Sequence, residues 1–160
     1  MKFFEDIQVG ERIAIGRHTF SAAEIKAFAA RFDPQPFHLD EAAAERSHFG
    51  ALVASGWHSA VVWMRLMVDQ RRRSGEAARA RGERVAAMGP ALGLRELKWL
   101  KPVFAEDSID YASEVIEARV SASKPGLGLI SIRSTGVNQR GEPVISFVST
   151  TFVERRPVKT

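Results

Sequence analysis

The sequence predicts an α+β domain in which an antiparallel sheet covers one long apolar helix. Three observations carry this. Residues 56–73 open on Gly56 and run through WHSAVVWMRLMVDQ, apolar on nearly all sides until Arg65, which is the pattern of a largely buried helix. Four later segments, 92–100, 108–121, 127–138 and 143–155, are rich in Val, Ile, Phe and Thr and alternate in part, as strands do. Between the last three stand KPGLG and NQRGE, turn chemistry that joins consecutive strands into an antiparallel meander. A sheet of four or five strands has a face to cover, and the helix from Gly56 is the element apolar enough to cover it.

The elements before that helix follow from local signals. Glu11 to Phe20 alternates loosely and reads as a first strand. Ser21, with Glu24 three residues on, forms a capping box, and Ile25, Phe28, Ala29 and Phe32 keep helical spacing behind it. That helix has to stop at Asp33, because the ring of Pro34 excludes the helical conformation for the residue before it. Asp40 to Ser47 reads as a short second helix with Asp40 as its N-cap.

A chain of 160 residues fits one domain, 1–160, and 45 % hydrophobic with 26 % charged residues is an ordinary globular balance. The absence of cysteine excludes disulfides, a thiolate nucleophile and thiolate metal ligation. With no export signal in MKFFEDIQVGERI, the expected setting is cytoplasmic. No apolar run reaches the ~18 residues of a membrane span. The net charge of +4 is local: RRRSGEAARARGER at 71–84 holds six arginines and two glutamates, so the rest of the chain is neutral. Such a run reads as a solvated helix end or an anion-binding patch. No nucleic-acid-reading motif accompanies it, so no nucleic-acid partner is expected.

The stretch FDPQPFHLD sets two prolines between Asp33 and His38. Each proline fixes its own φ and pushes the preceding residue toward extended conformations, so the segment reads as a stiff extended loop holding a carboxylate and an imidazole at a set separation. Such a pair can hold one water, one group removing a proton and the other supplying one. Gly56, at the start of the apolar helix, permits close approach of a ligand to helix N-terminal amides, which favour an oxygen gaining negative charge. His58, one turn inside the helix, reads as packing or a partner contact, and His18 and His48 have no supporting pattern. The histidine spacings match no metal motif, and neither metal nor cofactor is expected.

Three ordered blocks, FDPQPFHLDEAAA, FGALVASGWHSA and KWLKPVFAEDSI, together resemble the MaoC-like, or (R)-specific enoyl-CoA hydratase, family over residues 5–153. Gln35 stands where the family usually has Asn, Ser55 where His is common before the Gly, and Glu106 where Gly usually precedes Asp107. The resemblance implies a hotdog fold, in which the sheet wraps the central helix, and edge-to-edge homodimers. It implies acyl-CoA or acyl carrier protein thioesters as substrates, with a trans-2-enoyl thioester hydrated reversibly to a (3R)-3-hydroxyacyl thioester. Asp33 and His38 correspond to the catalytic pair, without a division between base and acid, and Gly56 to the amide at the thioester carbonyl. Phe37, Ser55, Trp57, Ser59 and Lys124 are the expected substrate-binding residues. Alternatives on the same resemblance are a hotdog thioesterase and a non-catalytic acyl-CoA-binding subunit.

Overall fold

The computed structural model describes residues 2–157. Five strands, β1 (Arg12–Thr19), β2 (Met88–Trp99), β3 (Ser108–Val120), β4 (Leu127–Asn138) and β5 (Pro143–Glu154), form one sheet in the order β1-β3-β4-β5-β2. Every neighbouring pair is antiparallel. The expected meander is β3-β4-β5. β1 and β2, which flank the long helix in sequence, close the two edges of the sheet.

Four α-helices lie between β1 and β2 in the chain: α1 (Ala22–Phe32), α2 (Pro36–Leu39), α3 (Glu41–Glu45) and α4 (Gly56–Ala80). The Ser21 side chain accepts the Glu24 N–H, as an N-cap should, and Asp40 caps α3 through the Ala43 N–H at 2.7 Å. α1 ends at Phe32, one residue before Asp33, whose φ of −152° and ψ of 67° leave the helical region ahead of the Pro34 ring.

Two expectations need correction. FDPQPFHLD is not extended throughout, because Pro36 starts a helical turn that carries Phe37 and His38. A proline suits that first helical position, since its fixed φ is helical and its missing N–H would have had no partner there. The second correction concerns α4, which continues through the first arginines to Ala80 instead of ending near residue 73. Arginine, alanine and glutamate are good helix formers, and Arg72 bridges Glu76 one turn on. The stop comes at Gly82, whose φ of +76° puts it in the left-handed region. Gly82 N–H donates to Arg79 C=O and Glu83 N–H to Ala78 C=O, the paired bonds of a Schellman end.

α4 is also not buried all round. Trp63 and Met67 enter the core with Ile15, Phe20, Ile109, Tyr111, Ile145 and Phe147. Val61, Met64 and Val68 stand about half exposed on another side. The sheet covers one side of the helix, and among the described residues nothing covers the side that carries Val61, Met64 and Val68. Leu92, Leu94, Trp99 and Leu100, on and just beyond the edge strand β2, are exposed to a similar degree.

Candidate active site

The N-terminus of α4 meets the turn α2 across a cavity of about 470 Å³, and the chain pins both of its walls. Residues 52–54 run beside 103–105: Ala54 N–H donates to Val103 C=O at 2.8 Å and Ala105 N–H to Leu52 C=O at 3.1 Å. α2 hangs on the same segment, since Val53 N–H donates to Phe37 C=O at 3.4 Å. The cavity is lined by Asp33, Phe37, His38, Ser55, Gly56, Trp57 and Ser59, and by Trp99 to Val103 from the far side.

His38 is buried, and its ring orientation is set by one bond. Nδ1 donates to Val53 C=O at 2.7 Å. A proton at Nδ1 leaves Nε2 as an acceptor in the neutral ring. Nε2 lies 3.4 Å from Asp33 Oδ2. The Ser55 hydroxyl holds the Asp33 carboxyl below the usual carboxylate range against the opposing cost of burial, and Gln35 Nε2, at 2.9 Å from Oδ1, and His38 pull the same way. The site therefore offers a carboxylate held in its ionised form beside an imidazole whose Nε2 faces it across the cavity edge. Both accept hydrogen bonds, so a water entering the cavity can donate to both, and each can take a proton from it.

Gly56 begins α4, and among the described residues its N–H has no acceptor. Ser55 caps the helix by accepting the Trp57 N–H, and Ser59 Oγ donates to Gly56 C=O at 2.7 Å. The glycine itself is required for a reason the sequence did not disclose. A Cβ at this position would lie 2.3 Å from Trp99 Nε1, so the indole of Trp99 rests directly on the Gly56 backbone. Trp57 packs edge-on against Trp99, with ring centroids 5.2 Å apart. Trp99 is the site residue that sequence reasoning missed as a contact, although it lies in the KWLKPV block that carries part of the resemblance.

Of the eight residues expected at the site, seven line this one cavity. Lys124 does not: it sits in the β3–β4 turn with its ammonium 5.3 Å from the Phe152 ring centroid. The arginine run lies apart as well. Arg71 is 15 positions along α4 from Gly56, or about 22 Å of helix. Arg72 is paired with Glu76, Arg81 with Glu83 and Arg84 with Glu154. Among the described residues no group of three or more His, Asp or Glu side chains is placed to hold a metal ion, and no helix is long and apolar enough to cross a membrane.

The comparisons agree with this layout. A MaoC-like dehydratase from Rhodospirillum rubrum has a crystal structure that superposes with a TM-score of 0.80 at 38 % identity, covering 99 % of this chain and 100 % of that one. An (R)-hydratase from A. caviae involved in PHA biosynthesis shares the fold, with a TM-score of 0.62 at 24 % identity over 95 % of this chain and 99 % of that one. Mesaconyl-CoA hydratase of Cereibacter sphaeroides is 40 % identical over 65 residues, which is 41 % of this chain and 19 % of that enzyme. The MaoC like domain profile matches residues 7–129. With three quarters of its length matched and the hotdog arrangement of sheet and helix in place, this chain belongs to the MaoC-like domain family.

Proposed function

We propose that the chain is a lyase that reversibly hydrates a trans-2-enoyl-CoA to a (3R)-3-hydroxyacyl-CoA. The observation that carries this reading is the juxtaposition of the Asp33–His38 pair with the unpaired Gly56 N–H across one cavity. Hydration needs both: a group to take a proton from water as it attacks C3, and a donor where charge collects on the thioester oxygen. The thioester C=O accepts from Gly56 N–H at the positive end of the α4 dipole. Water sits on the cavity side of Asp33 Oδ2 and His38 Nε2, 3.4 Å apart, and bridges the two. One of the two takes its proton, and a proton returns to C2 from the pair. Phe37, Trp57 and Trp99 bound the space left for the acyl group.

The membership of the family and the similarity to two hydratases, one of them a hydratase of a CoA thioester, support the substrate class. On this reading the expected setting is the cytoplasm. The decisive assay follows one panel of trans-2-enoyl-CoAs in two channels, loss of enoyl absorbance and release of free thiol. Enoyl loss without thiol release is expected. Thiol release as the dominant product would make the chain a thioesterase, and binding with neither signal would make it a non-catalytic subunit.

The same reading makes the chain a homodimer. β2 is an edge strand, and Leu92, Leu94, Val61, Met64 and Val68 form exposed apolar surface on it and on α4. Unprotected edges and large apolar patches call for a partner. Light scattering at micromolar concentration should give twice the 17.7 kDa chain mass. A monomer would overturn the assembly without touching the chemistry.

A further inference from the structure

A second cavity, of about 250 Å³, lies between the C-terminal half of α4 and the sheet, and it shares no lining residue with the Asp33–His38 cavity. Its walls are mainly apolar and buried: Ile15, Trp63, Met67, Val115, Ile130 and Val153. An apolar cavity of ~150 Å³ already accepts a benzene-sized guest, so this volume suits a somewhat larger one.

Two donors in the lining lack acceptors. Trp63 is 6 % exposed, and among the described residues its indole Nε1–H has no hydrogen-bond partner. Arg71 lies two turns further along the same face of α4, and among the described residues no carboxylate comes within 4.0 Å of it. Burial lowers the Arg71 pKa without taking away its charge under ordinary conditions. The other charged groups of the lining, Lys2 and Glu11, satisfy each other at 2.6 Å. Gln70 is occupied with Ser74 at 3.1 Å. The cavity therefore carries, among the described residues, one positive charge with no carboxylate partner beside apolar walls, and a buried donor without an acceptor, as at the Trp63 indole, is unusual enough to call for an explanation.

We propose that this cavity binds a small carboxylate with an aliphatic body, of the size of hexanoate to octanoate, its anionic oxygens accepting from Arg71 and its chain packed against Met67, Val115 and Ile130. A guanidinium takes a carboxylate in a bidentate fork, and an apolar body fills volume that water serves poorly.

The test titrates octanoate into the full-length chain, reading thermal stability and tryptophan fluorescence. Octanoate should stabilise the protein and change the emission, because Trp63 lines the cavity. Affinity should rise about 3- to 4-fold per added methylene from hexanoate to octanoate. Octanol and octylamine should bind about tenfold or more weakly, as should octanoate to the Arg71→Gln protein. Arg72→Gln is the control and should bind octanoate like the wild type. Val115→Phe fills the cavity and should abolish binding; if that variant does not fold, Arg71→Gln alone decides. Crotonyl-CoA added to Asp33→Asn protein should leave the octanoate affinity unchanged. The proposal is overturned by no detectable binding at millimolar octanoate, by equal affinity of wild type and Arg71→Gln, or by displacement with crotonyl-CoA, which would put the fatty acid in the other cavity.

Discussion

His38 and His58 are equally removed from solvent, at 5 % and 7 % exposure, and they sit in opposite surroundings. His38 is held at Nδ1 by Val53 C=O and turns Nε2 toward Asp33 at the edge of an open cavity. His58 is sandwiched among aromatic rings. It stacks on Phe28 at 4.5 Å with nearly parallel planes and meets Phe20 edge-on, and among the described residues its Nδ1 has no partner. Its nearest charge is Glu24, 3.8 Å from Nε2, which bonds His18 more closely. Burial pushes the His58 pKa down to about 4 against the pull of Glu24. The difference teaches that burial alone does not make a histidine a proton-transfer group. On the proposed function, an orienting bond at one nitrogen and an accessible partner at the other are what fit His38 for that role.

The strongest test of this contrast removes one member of the pair at a time. Asp33→Asn keeps shape and most hydrogen bonds but loses the basic carboxylate, and His38→Ala removes the imidazole. Each should lower kcat for enoyl-CoA hydration by ~10²–10⁴-fold, or roughly 3–5 kcal/mol of barrier. On the proposal that the two share one water, the double variant should be little worse than the poorer single. An active wild type whose Asp33→Asn variant keeps near-full kcat and normal melting would move the catalytic centre elsewhere.

Gly56→Ala probes the opposite wall. The new methyl would overlap Trp99 Nε1, and the indole can leave only by giving up its packing on Trp57. Such overpacking costs about 1–3 kcal/mol. We expect a lower Tm and a weakened kcat together. Trimming the indole in a Gly56→Ala/Trp99→Leu double variant should restore most of the stability. A Gly56→Ala protein that melts like the wild type would show that Trp99 does not rest on the helix in solution.

For His58 the expected signature is in stability and not in rate. The folded state holds the imidazole neutral down to about pH 4, whereas the unfolded chain binds the proton near its ordinary value of 6.5. The stabilisation by the neutral ring is complete above 6.5 and is lost as pH falls from there toward 4. His58→Phe keeps the stack on Phe28 and removes the titration. Relative to the wild type it should gain on the order of 1–2 kcal/mol between pH 7 and pH 4.5 in urea unfolding, with kcat at pH 7.5 unchanged. A wild type and variant with parallel pH profiles would refute the neutral, buried assignment.

The fold was legible in the sequence wherever one chain segment carried its own signal. Strand periodicity and the KPGLG and NQRGE turns gave β3 to β5 to within a residue or two, and Ser21 and Asp40 marked helix starts through their own side chains. What stayed illegible depended on partners distant in sequence. The apolar circumference of α4 did not reveal that the sheet covers one side only. Nothing near Gly56 announced that Trp99, 43 positions on, would rest on it. The end of α4 was readable in principle, since Arg81-Gly82 is a Schellman signal. For the site, the pair and Gly56 were visible as residue types in a rigid context. The Val53 carbonyl that orients His38 was not, because backbone acceptors leave no trace in a sequence.

The smallest expected effect belongs to the two prolines, and it refines what holds His38 in place. They act as a stop and a start: Pro34 ends α1 at Asp33, and Pro36 opens the turn that lifts His38 toward Val53 C=O. In the folded state Pro36→Ala can keep the same helical turn, because alanine is a good helix former. The loss falls on the unfolded chain, which gains freedom, at a cost of about 0.4–1 kcal/mol of stability. If the His38 Nδ1 bond to Val53 alone sets the ring, kcat should be unchanged. If the turn shares the positioning, slackening it moves Nε2 against Asp33, and kcat should drop by about 3- to 10-fold with KM nearly constant, since small misplacements of reacting groups are costly. We expect the second result, because the 3.4 Å gap between Nε2 and Oδ2 is spanned from two separate elements, α2 and the end of α1, whose relative placement rests on the residues 33–36 between them. An unchanged kcat with the predicted loss of stability would assign the positioning to the Val53 bond alone.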